Sequence, residues 1–476
     1  MANDLEIKGR DPSLYNEDLA PIPMSKRTWG WFEIFNVWAN DVQSLFGYTL
    51  AASLFLSYGL NGWSVFAAIL IAGFFVMWLV NLMGKPSVEY GIPFPVMARA
   101  SMGVRGANFP AIVRAIVAIF WYGAQTYFAS TAVALLIHAL VEDPGEGAAM
   151  FLGMTGIDWV AFLLVWAFQI WLFWNGIDWI ARFLNWAGPF VYLVMILLAG
   201  VIWYKAGGGL LTEMGNIFQG TSDYDGSTFG AFMAVVGTMI AYFAAVVINY
   251  GDFSRFVRSE AEMKKGNLLG LPLNIAFFSL IALIVTAGTV VVFGESLTEP
   301  TEIIERVDSV ALTVVAAIMF FAATVGINLV ANFIPPAYDL ANLMPSKISF
   351  RVGGLITSGF ALIIGGLWVS TISQIGIFNF VNTLGAILAP VYGIMIVDYY
   401  MIKGGKLDVE NLFSADPSGE YFYDNGWNKT ALITFALAGV FSVATVWVPA
   451  LSVLSGFAWV IGAALGGGVY WVLAKR

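Results

Sequence analysis

One run of polar side chains stands where a hydrophobic segment tolerates it badly. In Asn36-Val37-Trp38-Ala39-Asn40-Asp41-Val42-Gln43-Ser44, Asp41 lies about eleven residues into an apolar stretch, which at ~1.5 Å rise per helical residue is near the middle of a bilayer. An ionised carboxylate at that depth costs several kcal/mol unless it is paired, so an intramembrane acid reads first as a proton carrier or a cation ligand. The structural alternative is a hydrogen-bond partner at a break in the helix. Two further pairs are spaced four apart and so share a helix face: Trp121 with Gln125, and Asn328 with Asn332. An indole offers a flat stacking surface, and amide side chains both donate and accept hydrogen bonds. That chemistry suits a lactam or an imide, although the same amides also serve as glue between membrane helices. His138, the single histidine, falls at the outer end of its segment and fits a structural or interfacial role. There is no cysteine, hence no thiolate chemistry and no disulfide framework. Neither a metal cluster, a catalytic triad, a phosphate loop nor a nucleic-acid motif is present, so nothing points to an enzyme or to a cofactor.

The elements that must position these residues are membrane helices. Of the 476 residues, 59% are hydrophobic and only 11% charged, against about 25% charged in soluble domains. Twelve runs are long enough to cross the hydrocarbon core, at about 30–57, 63–84, 108–139, 157–176, 180–205, 228–250, 267–293, 309–343, 352–370, 374–402, 430–447 and 450–473. Strand edges cannot be satisfied in lipid, so the runs are read as helices. With the N-terminus inside, all of the 22 basic residues except Lys205 and Arg306 fall on the cytoplasmic side, as the positive-inside bias requires. The outer loops are acidic, with Glu142, Asp143 and Glu146 in one and Glu295, Glu299 and Glu302 in another. Glu33, Asp252, Asp339 and Asp398 fall near cytoplasmic helix ends, where salt bridges or caps are expected. The net charge of −9 has the wrong sign for binding nucleic acid.

This reading divides the chain into a solvated cytoplasmic tail (1–28), a ten-helix transport core (29–403), a cytoplasmic loop (404–429), and two accessory helices with a short C-terminus (430–476). The tail lacks an apolar signal segment. Residues 85–107 read as an amphipathic interfacial stretch between helices two and three. The bilayer is the one partner the composition demands, and no obligate protein partner is evident. The first run is broken by its polar block. The sixth carries Gly237, an alanine-rich stretch at 241–245 and Asn249-Tyr250-Gly251-Asp252, the marks of a second broken helix. Paired broken helices in two halves point to a transporter site near the midplane. They stand five helices apart, and that odd offset inverts topology, which implies a five-plus-five inverted repeat. A passive facilitator or channel would share the polar route but would need no titratable group at the midplane.

Several stretches together resemble the bacterial nucleobase–cation symporter family one. They are LYNEDLAP…RTW at 14–29, NVWANDVQS at 36–44, YGIPFPVMARASMGVRGANFPAIVRA at 90–115, FWYGAQTY at 120–127, INYGDFSRF at 248–256, NLVANFIPPAYDLANLMP at 328–345 and GIMIVDYYMIKGGKLDVENLF at 393–413. The resemblance implies a leucine-transporter-like fold, with two helices appended to the inverted repeat, in a bacterial inner membrane with both termini cytoplasmic. It implies cation-coupled import of a small heterocycle: uracil first, then allantoin or a hydantoin. It carries substrate roles onto Trp121, Gln125, Asn332 and Phe243, the last replacing the family's second tryptophan with a smaller ring, with Gln43 and Ser44 as further polar partners. It implies unwinding of helices one and six near Asn40–Gln43 and Phe243–Val247. The family's sodium site maps onto Asn40, Gln43, Ala323, Gly326 and Ile327. Gly326 and Ile327 lack the hydroxyls that site uses, so the expectation is proton coupling through Asp41, with sodium near Asn40, Gln43 and Ala323 as the alternative.

Overall fold

The computed structural model describes residues 7, 10–140, 149–216, 218–220, 222, 224, 226–307 and 309–475. Each predicted run falls on one helix or on helices in series. In chain order these are α1 (Trp31–Val42), α2 (Leu45–Ser57), α3 (Gly62–Tyr90), α4 (Phe94–Met102), α5 (Asn108–Leu140), α6 (Gly156–Trp174), α7 (Ile177–Ala206), α8 (Leu210–Asn216), α9 (Thr228–Tyr242), α10 (Ala244–Asn249) and α11 (Gly251–Ser254). They continue with α12 (Glu260–Phe293), α13 (Pro300–Val307), α14 (Val310–Ile327), α15 (Ile334–Leu343), α16 (Phe350–Gly366), α17 (Ile377–Val397), α18 (Lys429–Trp447) and α19 (Ala458–Ala474). Among the described residues, eight helical segments are by themselves long and apolar enough to cross a membrane, or nine when the 58° bend after Gly366 is taken inside one span. The broken helices supply shorter apolar pieces, Leu45–Ser57 and Thr228–Tyr242. Phe74 and Trp78 on α3, Leu164 and Trp171 on α6, and Leu437 and Val440 on α18 are exposed, as a lipid-facing surface requires.

The helices close on one another through small residues, as membrane helices do. A Cβ on Gly123 of α5 would come within 2.7 Å of the Gly365 backbone nitrogen on α16, so the two chains meet backbone to backbone. The appended α18 and α19 pack on α17 and on each other. Asp398 ties them in, paired with Lys403 at 3.1 Å and accepting from the Tyr470 hydroxyl at 2.9 Å.

Four expectations change. The 85–107 stretch is not interfacial: α3 runs on to Tyr90, and all nine residues of α4 are buried. The 404–429 loop covers α4 from outside, with the Arg99 guanidinium donating to the Leu412 carbonyl at 3.0 Å and Asn428 N to the Met102 carbonyl at 2.8 Å. The tail is not solvated beyond residue 10, because Leu14 and Leu19 are buried and Phe350 N donates to the Asp18 carboxylate at 3.1 Å. Arg99 and Arg114, placed on the cytoplasmic face by charge counting, are fully enclosed by protein. The run at 309–343 is not one regular helix, because Asn328–Phe333 form a π-helical turn between α14 and α15. Glu142, Asp143 and Glu146 lie outside the described residues.

Candidate functional site

α1 stops where Gln43 (φ −97°, ψ 84°) leaves helical space, and the chain restarts after Ser44 (φ −134°, ψ 160°). Ser44 caps α2, its Oγ accepting from Gly47 N at 2.8 Å. Leu45 N donates to the Thr324 hydroxyl of α14 at 3.2 Å, which holds the break against that helix. Sequence reading passed over Thr324, since it looked for hydroxyls at 326 and 327. Asn40 Oδ1 is buried without a partner, and Gln43 turns toward the Tyr192 hydroxyl without closing a well-formed bond. Unwound segments gather such polar groups where ions and substrates are held.

The break in the sixth span is narrower than expected. Between α9 and α10 the run is interrupted at Phe243 alone. Val247 N already donates to the Phe243 carbonyl at 2.9 Å, so the helix has resumed by Ala244. The π turn follows the same principle on the opposite wall, since one extra residue per turn re-aims Asn328 and Asn332. Such bulges are common at functional sites.

These elements meet around a cavity of about 20 Å³ lined by Asp41, Trp121, Gln125, Tyr242, Phe243, Ala245, Val246, Ile327, Ala331 and Asn332. That is room for one water molecule, so the site is closed down in this conformation. Aromatic rings take up the space on one side of it. Phe46 packs edge-on against Trp121 at 4.9 Å, and Phe380 and Tyr242 meet the same indole at 5.1 and 5.6 Å. Phe128 and Trp368 extend the stack, at 5.2 and 6.2 Å from Phe46. Of the substrate candidates, Trp121, Gln125, Phe243 and Asn332 line the cavity; Gln43 and Ser44 do not, although Gln125 Nε2 reaches Ser44 Oγ at 3.4 Å. Of the cation candidates, Asp41 and Ile327 line it, while Asn40, Gln43, Ala323 and Gly326 are buried behind it.

Behind Asn332 lies a polar network. Asn332 Nδ2 donates to Asn328 Oδ1 at 3.1 Å. Asn328 Nδ2 in turn reaches Gln169 Oε1 at 2.7 Å, Thr126 Oγ1 at 3.1 Å and the Tyr122 carbonyl at 3.2 Å. Below it, Arg114 donates to Asn249 Oδ1 at 2.9 Å and to the Ala331 and Ala245 carbonyls at 2.8 and 3.2 Å. One guanidinium thereby clamps the end of α10 to the π turn. Asp339, Asp252 and Asp41 are the acids whose charges act on it. Asp252 is satisfied by Phe94 N at 2.8 Å and by Asn249, and Glu33 caps α1 through Gly30 N at 2.7 Å. Asp339 departs from expectation: it neither pairs nor caps, and both of its oxygens are buried without a partner.

A second, larger space of about 750 Å³ runs between the N-terminal segment, α11 and α15, and Trp29, Val37, Asp252, Arg255, Val330 and Tyr338 are among its walls. It lies on the side that the charge bias assigns to the cytoplasm, and it approaches the small cavity through Val37 and Val330.

Comparison with known proteins agrees with this architecture. Over 476 residues the chain is 34% identical to the allantoin permease of Bacillus subtilis (strain 168), covering 99% of this chain and 95% of that one. It is 30% identical to the purine-uracil permease NCS1 of Arabidopsis thaliana, over 98% of this chain and 78% of the relative. A nucleobase-cation-symport-1 family transporter, solved closed with bromovinylhydantoin bound, superposes with a TM-score of 0.80 at 22% identity, over 97% and 96% of the two chains. A sodium-coupled sialic acid symporter shares the fold at 0.67 and 14% identity, over 95% of this chain and 90% of that one. The helices therefore build the leucine-transporter-like fold of a multi-pass membrane transporter, not an enzyme. Residues 21–473 match the family described as permeases for cytosine/purines, uracil, thiamine and allantoin, and the chain belongs to that family.

Proposed function

We propose that the protein is a secondary active transporter that imports a flat cyclic amide through alternating access, driven by a cation gradient. One observation carries the reading: an indole, two amides and a carboxyl from three separate spans converge on one cavity where two helices are interrupted. The substrate ring stacks on Trp121, Phe243 forms the opposite wall, and Gln125 and Asn332 bond its polar edge. Offset stacking contributes about 0.5–1.5 kcal/mol beyond burial. Allantoin stands ahead of uracil and hydantoin as substrate, because a 34% identical relative over nearly the whole chain is an allantoin permease. That reverses the order expected from the sequence, in which uracil stood first. The aromatic stack closes the outer side, and the larger space leads to the cytoplasm. The basic residues of the inner loops support the topology of this reading, with both termini on the cytoplasmic side.

Proton coupling is the preferred mode. Asp41 faces the cavity, and a neutral carboxylic acid crosses the membrane interior at lower cost than a charged one. Hard cations want several oxygen ligands, and neither Gly326 nor Ile327 supplies one from its side chain. Uptake of allantoin, uracil and hydantoin into proteoliposomes, under an imposed proton or sodium gradient, tests both points. A pH gradient drives accumulation in the wild type, and Asp41→Asn equilibrates substrate without concentrating it. Accumulation driven by sodium alone rules out the proton reading. Accumulation by Asp41→Asn at the wild-type level makes Asp41 a structural residue whatever the ion.

A further inference from the structure

We infer that Gln169 on α6, which touches no substrate, sets the donor–acceptor polarity of the site, so that Asn332 presents an oxygen and the transported ring must offer it an N–H. The inference rests on the transport reading above and concerns how that site discriminates. Asn332 can turn its amide either way by a half-rotation. What decides is Asn328, whose Oδ1 accepts the Asn332 Nδ2 proton at 3.1 Å. Asn328 is held the right way round in part by the Tyr122 carbonyl, 3.2 Å from its Nδ2, since a backbone carbonyl only accepts.

Gln169 closes this clamp. It is fully buried, and its Oε1 takes the shortest bond of the network, 2.7 Å from Asn328 Nδ2. Its Nε2 donates to Thr126 Oγ1 at 3.1 Å and lies 3.4 Å from the Val165 carbonyl, which sets the direction of its own amide. Thr126 spends its proton on the Tyr122 carbonyl at 2.7 Å and keeps its lone pairs for Gln169 and Asn328. Every donor in the chain is thus matched, and the polarity runs one way, from Gln169 through Asn328 to Asn332. Asn332 Oδ1 has no protein partner among the described residues and is the atom left for the cavity. Gln125 differs: its Nε2 reaches only a hydroxyl, Ser44 Oγ at 3.4 Å, and hydroxyls donate or accept. It adapts to the substrate, whereas Asn332 imposes a requirement on it.

The test compares binding of a parent heterocycle with binding of its N-methyl derivatives, in purified wild type and in variants. The parent is whichever of allantoin, uracil and hydantoin binds wild type best. A buried acceptor left unpaired costs about 1–3 kcal/mol, so at least one N-methyl isomer loses about five- to 150-fold in wild type at 1.4 kcal/mol per decade. Gln169→Leu lowers that ratio, and Gln169→Leu with Thr126→Val brings it to within about threefold, since only the longer Tyr122 bond then holds Asn328. Gln169→Glu, which when protonated offers the same acceptor and donor, keeps the wild-type ratio. A merely structural role weakens parent and methyl derivative alike and leaves the ratio unmoved, and that result overturns the inference. If Gln169→Leu does not fold, Gln169→Met carries the same expectation. Failure of wild type to bind any of the three parents overturns the transport reading itself.

Discussion

Asn332 and Phe243 share one cavity but contribute different physics. Asn332 is buried and lines a space with room for one water, and its Nδ2 is taken by Asn328. Loss of its amide removes a hydrogen bond from a desolvated partner, worth about 1–3 kcal/mol, or about five- to 150-fold in affinity. Phe243→Tyr keeps the ring and its stacking face. Asn332→Ala therefore weakens binding of the preferred heterocycle by that factor, while Phe243→Tyr changes it by less; calorimetry on the purified protein measures both. Equal affinity of Asn332→Ala and wild type removes Asn332 from the site. The same scale shows where residue type misled. Arg114 reads as one more cytoplasmic cation, yet it is buried and bonds the end of α10 and the π turn. Its three-way fork is a job that a lysine's point charge does not replace.

At the level of elements, precision comes from how little backbone is irregular. The sixth span is interrupted at Phe243 and again at Tyr250, the first at Gln43 and Ser44, and the eighth by a single π turn. Regular helices on either side keep these interruptions in place, and close packing keeps the helices in place. α5, which carries Trp121 and Gln125, rests on α16 through Gly123, where a Cβ would lie 2.7 Å from the Gly365 nitrogen and 2.8 Å from Ile364. A backbone atom cannot step aside as a side chain can. Gly123→Val forces α5 off α16 at a cost of about 1–3 kcal/mol. It is expected to lower the midpoint of thermal unfolding in detergent and, by shifting Trp121, to weaken heterocycle binding as well. An unchanged melting temperature shows that the two helices have slack the packing does not reveal.

The molecule as a whole is asymmetric across the membrane. On the side that the charge bias assigns to the outside, Phe46, Phe128, Trp368 and Phe380 pack beside Trp121. On the side it assigns to the cytoplasm, the larger space reaches Val37 on α1. The absence of cysteine makes this asymmetry simple to probe. Val37→Cys is expected to react with a membrane-impermeant maleimide applied to inside-out vesicles, and substrate is expected to slow the reaction by favouring the closed form. Phe128→Cys is expected to stay unreactive from outside in the substrate-free protein. The reverse pattern of labelling means that the resting protein opens outward. The ordered N-terminal segment belongs to the same picture. Asp18 accepts from Phe350 N, and the Asp18 carbonyl accepts from Arg255 at 3.1 Å, so this segment is part of the wall of the larger space.

Hydrophobicity over twenty-residue windows was enough to place the spans, because lipid leaves the backbone no alternative to the helix. Residue type at helical spacing was enough to mark Trp121, Gln125, Asn332 and Asp41 as candidates, since polar and titratable groups inside apolar runs are costly without a task, and all four line the small cavity. What linear order could not convey was which buried polar group meets which. Thr324 at the first break, Gln169 behind Asn328, and Arg114 between α10 and the π turn all bond residues more than forty positions away. No periodicity carries that information. The helix irregularities have the same origin: Phe243 and Asn328–Phe333 leave the regular helix where neighbouring spans supply partners, and those partners exist only once the bundle has closed. The short buried α4 misled for a related reason, because its sequence resembles a surface helix until the loop at 404–429 folds over it.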